Sequence, residues 1–229
     1  MIVKYIYHSS FLAETESAYF LFDYFKGEIP GMSEPKPLYI FASHRHPDHF
    51  SEEIFKISAP HGQKTTYILS DDIWKKRVPA EKKESAVFLG PGERINIDGI
   101  EIETLKSTDE GVAFLITAGP HVIYHAGDLN DWQWEGEPDE VNASYRKKYR
   151  QEIEKLKNKK IEVAFLPLDP RQEKYFADGF DWFMQHISVE WVYPMHCWED
   201  ENVIGKLKEL PCSHAYRNRI IEKSPFKTD

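Results

Sequence analysis

The chain has 229 residues, 41% of them hydrophobic and 14% aromatic, enough to bury a substantial core, and one compact domain over 1–229 is the simplest organisation. A formal charge of −9 repels a polyanionic backbone, so nucleic acid is a poor partner and a small molecule a better one. No apolar run is long enough to span a bilayer, no signal peptide precedes the first strand-like residues, and Cys197 and Cys212 are too few for a disulfide framework; a cytoplasmic protein without a membrane partner is expected, with no signal for oligomeric state.

The first predicted strand, Ile2 to Tyr7, runs into His8-Ser9-Ser10, and a second candidate covers Tyr19 to Phe22. Leu38 to Ala42 reads as a short buried strand because it is a compact apolar run after Pro37. It is followed by His44-Arg45-His46-Pro47-Asp48-His49, which sets three imidazoles and a carboxylate within six residues. His44 and His46, two apart in a still extended segment, can offer imidazole nitrogens to one cation. The bend at Pro47 turns Asp48 and His49 toward a second position beside it. The alternative is that Asp48 caps a helix starting near Phe50 and the histidines lie on the surface.

Further strands are predicted at Thr66 to Leu69 and Val87 to Leu89, then hairpins pairing Arg94 to Ile97 with Ile100 to Leu105 and Val112 to Ile116 with Val122 to His125. The second hairpin leads into Ala126-Gly127-Asp128 and Leu129-Asn130-Asp131-Trp132-Gln133-Trp134. Trp132 and Trp134 either line a pocket near Asp128 or pack in the core. An amphipathic helix carries Tyr145, Tyr149, Ile153 and Leu156. The strand Glu162 to Leu166 precedes Asp169-Pro170-Arg171, where Arg171 either clamps an anionic group or pairs with Asp169 or Glu173. Helices through Phe176 to Ile187 and Val203 to Leu210 flank the strand Trp191 to Tyr193, which ends in Pro194-Met195-His196.

The H-x-H-x-D-H cluster, the later Gly127-Asp128 after a strand, and Pro194-Met195-His196 together resemble the metallo-β-lactamase superfamily, in matching order and over nearly the whole chain. The resemblance implies an α+β fold, a four-layer αββα sandwich with ligands on loops at one sheet edge. It implies one or two divalent cations, zinc above manganese or iron, held by His44, His46, Asp48, His49, Asp128 and His196, with Asp128 bridging. His8-Ser9-Ser10 resembles the segment that opens many family members, where His8 either orients a ligand carboxylate by a hydrogen bond or is a surface histidine of a hairpin. The histidine that the family usually supplies between the cluster and Gly127-Asp128 is missing from Thr104 to Gly111, where Asp109 is the nearest substitute; otherwise the first position keeps only His44, His46 and Asp128 and binds weakly, leaving Asp48, His49, Asp128 and His196 as the main position, and His61, His121 and His125 are further candidates.

The implied function is metal-dependent hydrolysis, with Asp128 holding the metals and Asp48 orienting the attacking water or receiving its proton. Taken with Pro194-Met195-His196, the Gly-Asp-Leu-Asn-x-Trp segment makes the chain resemble most a bacterial branch related to ascorbate-phosphate lactonases, which favours a small anionic lactone or phosphoester. A metal-binding member that has lost hydrolysis and acts as a binding or regulatory module is the alternative. A di-iron oxidoreductase is a third reading, although nothing in the chain supplies the flavin domain that accompanies that chemistry.

Overall fold

A computed structural model describes residues 1–200 and 202–222. Twelve strands form two six-stranded sheets whose order follows the chain. The first holds β1 (Ile2–Tyr7), β2 (Ser10–Glu14), β3 (Tyr19–Phe22), β4 (Leu38–Ala42), β5 (Thr65–Ser70) and β6 (Ala86–Leu89). The second holds β7 (Arg94–Ile97), β8 (Ile100–Lys106), β9 (Val112–Ala118), β10 (His121–His125), β11 (Lys160–Pro167) and β12 (Ser188–Met195). Both are mixed: β1 to β3 and β7 to β10 pair antiparallel, while β3 to β6 and β10 to β12 pair parallel. The α+β class and the superfamily's sandwich are therefore present.

The sheets face each other across an aromatic core. Phe20, Phe22, Tyr39, Phe41 and Ile68 alternate inward from the first sheet, and Phe41 meets Phe114 of the second with ring centroids 5.2 Å apart. The intervening residues Tyr19, Leu21, Leu38, Ile40, Tyr67 and Leu69 pack outward against Phe50, Ile54, Phe55, Ile73 and Val78. Both faces of these strands are thus covered, which is why they read as continuous apolar runs.

The two outer layers differ. Over the second sheet lie α1 (Asp139–Ile153), α2 (Asp178–His186) and α3 (Asn202–Glu209), anchored by contacts such as the stacked Tyr124 and Phe183 rings. Over the first sheet the covering segments are short 3-10 helices, including Glu52–Lys56, Lys75–Arg77 and Ala80–Ser85. Pro60, Gly62 and Pro79 interrupt that stretch too often for a full α-helix. No helix among the described residues is long and apolar enough to cross a membrane.

Candidate metal centre

The site is assembled where strands end. Asp23 follows β3, Ser43 to His49 follow β4, Ala126 to Asp128 follow β10, Asp169 follows β11 and His196 follows β12. The segment after β4 is a bend and turn, not the extended piece that the sequence predicts: the amides of His49 and Phe50 both donate to the His46 carbonyl, at 3.0 and 2.9 Å. That turn carries Asp48 and His49 back toward His44. Ser51 caps the 3-10 helix that follows, accepting from the Glu53 amide at 3.3 Å, so Asp48 is not the cap. Close approach of the two sheets depends on Gly111 (φ +67°) and Gly127 (φ +52°), where a Cβ would collide with the Ser43 carbonyl and His44 Cβ, or with the Ser43 side chain.

Seven side chains converge in two adjoining groups, each with donor atoms within 4.8 Å of one another: His44, His46 and Asp128, and His8, Asp48, His49 and His196. Asp128 faces both. Its Oδ2 is 3.5 Å from His44 Nε2, while its Oδ1 is 3.2 Å from His49 Nε2 and 3.5 Å from His196 Nε2. His44 Nε2 and His46 Nδ1 are 3.0 Å apart, and Asp48 Oδ2 lies 3.8 Å from both His49 Nε2 and His196 Nε2. Two nitrogens bound tetrahedrally to one zinc would sit about 3.3 Å apart. The observed separations surround that value. His8 Nε2, His49 Nε2 and Asp128 Oδ1 are buried and have no hydrogen-bond partner among the described residues. Such atoms are costly unless something of opposite polarity lies between them, and a divalent cation fits that requirement.

Acceptors behind the imidazoles fix their tautomers. His49 Nδ1 donates to Asp23 Oδ2 at 2.7 Å and His196 Nδ1 to Asp169 Oδ2 at 3.0 Å, which turns each Nε2 toward the cluster. The Ser43 hydroxyl donates to Asp23 at 2.6 Å, so it accepts from His44 Nδ1 at 3.0 Å with the same result. Burial alone would raise the Asp23 carboxyl, but His125, His49 and Ser43 bring it down to about 2. Asp169 is likewise brought to about 2 against burial by His196 and Arg171. Asp48 and Asp128 also lie below the usual carboxylate range, because the surrounding imidazoles outweigh burial. Burial holds His44 at about 3, hence neutral, whereas Asp128 and Asp23 overcome burial and raise His49 to about 9. The cluster carries an excess of negative charge that a cation would balance.

The structure brings His44, His46, Asp48, His49, Asp128 and His196 together, as the sequence predicts, and adds His8. His8 Nε2 faces Asp48 Oδ2 at 3.5 Å, a contact with a carboxylate of the kind the sequence suggests, and it also sits among the donor atoms of that group. Asp109 lies at the rim, its Oδ2 3.9 Å from His46 Nδ1 and outside both groups. Glu110, not singled out from sequence, is nearer: its Oε2 is buried, has no hydrogen-bond partner among the described residues, and lies 3.3 Å from His46 Nε2. His125 is not a substitute ligand, since its Nε2 donates to the Ser9 carbonyl and its Nδ1 accepts from the Gly127 amide. His61 bonds the Ser33 carbonyl and His121 pairs with Glu16 and Glu162, so neither joins the cluster.

Beside the cluster a cavity of about 140 Å³ is lined by Asp109, Asp128, Trp132, Trp134, Tyr145, Arg171 and His196. Trp132 and Trp134 stack with centroids 5.8 Å apart, and the Trp132 indole donates to the Asp128 carbonyl at 2.8 Å. Arg171 pairs with Asp169, its Nε donating to both Asp169 oxygens at 3.0 Å, and its guanidinium lies 4.3 Å over the Trp198 ring and lines the cavity.

Residues 2–142, more than half of the chain, match the family described as a beta-lactamase superfamily domain. The chain belongs to the metallo-β-lactamase superfamily. His196 lies beyond the matched stretch, and its place in the cluster rests on the structure. A proposed metal-dependent hydrolase from Parabacteroides distasonis is similar in fold, with a TM-score of 0.65 and 16% identity over 96% of this chain and 92% of that one. Igni18, a metallo hydrolase from Ignicoccus hospitalis, has a TM-score of 0.65 and 17% identity over 97% and 94%. CmlA, a diiron β-hydroxylase from Streptomyces venezuelae, has a TM-score of 0.54 and 12% identity over 85% of this chain and 44% of its own. At these identities the likeness is one of fold. No curated protein matches the chain.

Proposed function

We propose that this superfamily member is a metal-dependent hydrolase of a small anionic substrate, a lactone or a phosphoester, working with one or two divalent cations, zinc above manganese or iron. The observation that carries this reading is that one cavity is lined both by Asp128 and His196 of the cluster and by Trp132, Trp134 and Arg171. At about 140 Å³ it suits a compact molecule. A bound cation supplies Lewis acidity toward a substrate oxygen and brings water within reach of ionisation near neutral pH.

The chain's own residues do the rest. Asp128 presents one oxygen to each group of histidines and so holds them in register. Asp48, ionised and partly exposed, accepts a hydrogen bond from the attacking water and orients it toward the cavity. Arg171, kept planar between Asp169 and Trp198, receives the anionic group, and the two tryptophans exclude bulk water from the reacting atoms.

One observation favours the second reading, a binding or regulatory module without turnover: no residue of the loop from Thr104 to Gly111 joins His44, His46 and Asp128. A screen of lactones, phosphomonoesters and phosphodiesters with zinc- and manganese-reconstituted protein separates the two. Hydrolysis that chelator abolishes and that Asp48→Asn and Asp128→Asn cut at least a hundredfold supports the enzyme. A fully metal-loaded protein inert on all three classes, or a rate indifferent to chelator and to both substitutions, contradicts it.

A further inference from the structure

We propose that His8 is itself a metal ligand through Nε2, so that His8, Asp48, His49 and His196, with Asp128 shared, form the position that fills first. The inference rests on the metal-centre reading above and deepens it. Three observations on His8 converge. Its Nε2 lies within 4.8 Å of the donor atoms of Asp48, His49 and His196, and its 3.5 Å distance from Asp48 Oδ2 is close to the separation of two donors on one zinc, about 3.3 Å. That nitrogen is buried and has no hydrogen-bond partner among the described residues. Finally, His8 occupies the tight turn between β1 and β2 with φ +53°, a left-handed conformation that histidine adopts at a cost.

The turn geometry places the ring where it is. His8 donates its amide to Tyr5 Oη at 2.8 Å, and its ring is wedged between His196, at 4.4 Å between centroids, and Trp198, at 4.8 Å. An imidazole packed this way, with a buried nitrogen directed at three other donors and no closer than 3.5 Å to Asp48, has the form of a ligand. The consequence is asymmetry between the two positions. The first has His44, His46 and the shared Asp128; the second has four donors of its own before Asp128 is counted. With the usual third histidine missing from the first position, the second is the stronger.

The test is to load the wild-type chain with one equivalent of zinc and locate the ion by anomalous scattering in a crystal, with zinc titrations of wild type, His8→Ala and His44→Ala alongside. The expected result is one ion bound by His8 Nε2 at about 2.0–2.1 Å together with Asp48, His49 and His196. In solution His8→Ala should weaken the first equivalent at least tenfold, and His44→Ala should leave it within about threefold. An ion on Asp48, His49 and His196 with His8 Nε2 beyond hydrogen-bond reach of it overturns the proposal but keeps the metal centre, as does an ion seated first on His44 and His46. A wild-type chain that binds no zinc removes the metal-centre reading and this proposal together. The crystallographic arm needs no variant, so a misfolded His8→Ala cannot mask the answer.

Discussion

Asp131 is the acid that the fold tolerates least, and replacing it with asparagine should stabilise the protein. Its carboxylate is fully buried, neither oxygen accepts a hydrogen bond among the described residues, and the Arg146 guanidinium, itself partly exposed, reaches only to 3.8 Å. Burial raises its pKa from 3.8 to about 6, with Arg146 offsetting only part of the effect. In the unfolded chain it titrates normally, so between these values the native state binds the extra proton. Stability from this group is therefore greatest below pH 3.8, falls as the pH rises, and reaches its full deficit above about 6. A rise of about two pH units, which already includes the attraction to Arg146, corresponds to at most about 3 kcal/mol, so Asp131→Asn should gain about 1–3 kcal/mol at pH 7. For a chain of this size that is roughly 3–10 °C in Tm. Thermal and urea unfolding of both proteins in chelator at pH 4.5 and 7.5 is the assay. The advantage of the variant should be large at 7.5 and mostly gone at 4.5. A variant no more stable than wild type at pH 7.5, or an advantage that does not change with pH, would refute the reasoning.

Asp23→Asn keeps the shape and tolerates φ +42° but removes the charge behind His49 and Ser43, so zinc affinity measured by competition with a chromophoric chelator should fall about ten- to a hundredfold with the fold intact. Arg171→Met should raise KM for an anionic substrate about tenfold or more while changing kcat less, and should have little effect on an uncharged lactone, as steady-state kinetics on the two substrates would show. Gly111→Ala should cost about 1–3 kcal/mol for its left-handed backbone and lose metal at His44 as well, because the new Cβ meets the Ser43 carbonyl and His44; Gly99→Ala, at φ +85° with open space around it, should show the backbone cost alone in urea unfolding and metal analysis.

The parts of the site that sequence exposes are those whose residues are neighbours in the chain or end a recognisable strand. His44 to His49 announce themselves by density, and Asp128 and His196 by following the buried strands β10 and β12. Asp23 is invisible at that level, because its importance comes from the parallel pairing of β3 with β4, Phe22 opposite Phe41, which sets it beside Ser43. Asp169 is visible as a partner for Arg171 but not as the acceptor of His196 Nδ1, a contact created by the adjacency of β11 and β12. His8 is named in the sequence, but strand β2 and the depth of His8 in the cluster are not legible, for one reason. The turn joining β1 to β2 carries no glycine or Asn-Gly signal, since His8 takes the left-handed conformation itself, so neither the hairpin nor the inward direction of the imidazole is written locally. The outer layer over the first sheet was ambiguous because its apolar residues are held by single 3-10 turns, too short to set up a helical period.

Metal content is the most direct measure of the central claim that this cluster of histidines and aspartates is a divalent metal centre. Wild type, His49→Ala and His196→Ala are reconstituted with zinc or manganese, dialysed exhaustively and submitted to elemental analysis, with circular dichroism to confirm that each is folded. The account predicts at least one ion per wild-type chain and a loss of most of it in both folded variants. A wild-type protein that retains no metal, or variants that retain as much as wild type, would contradict it.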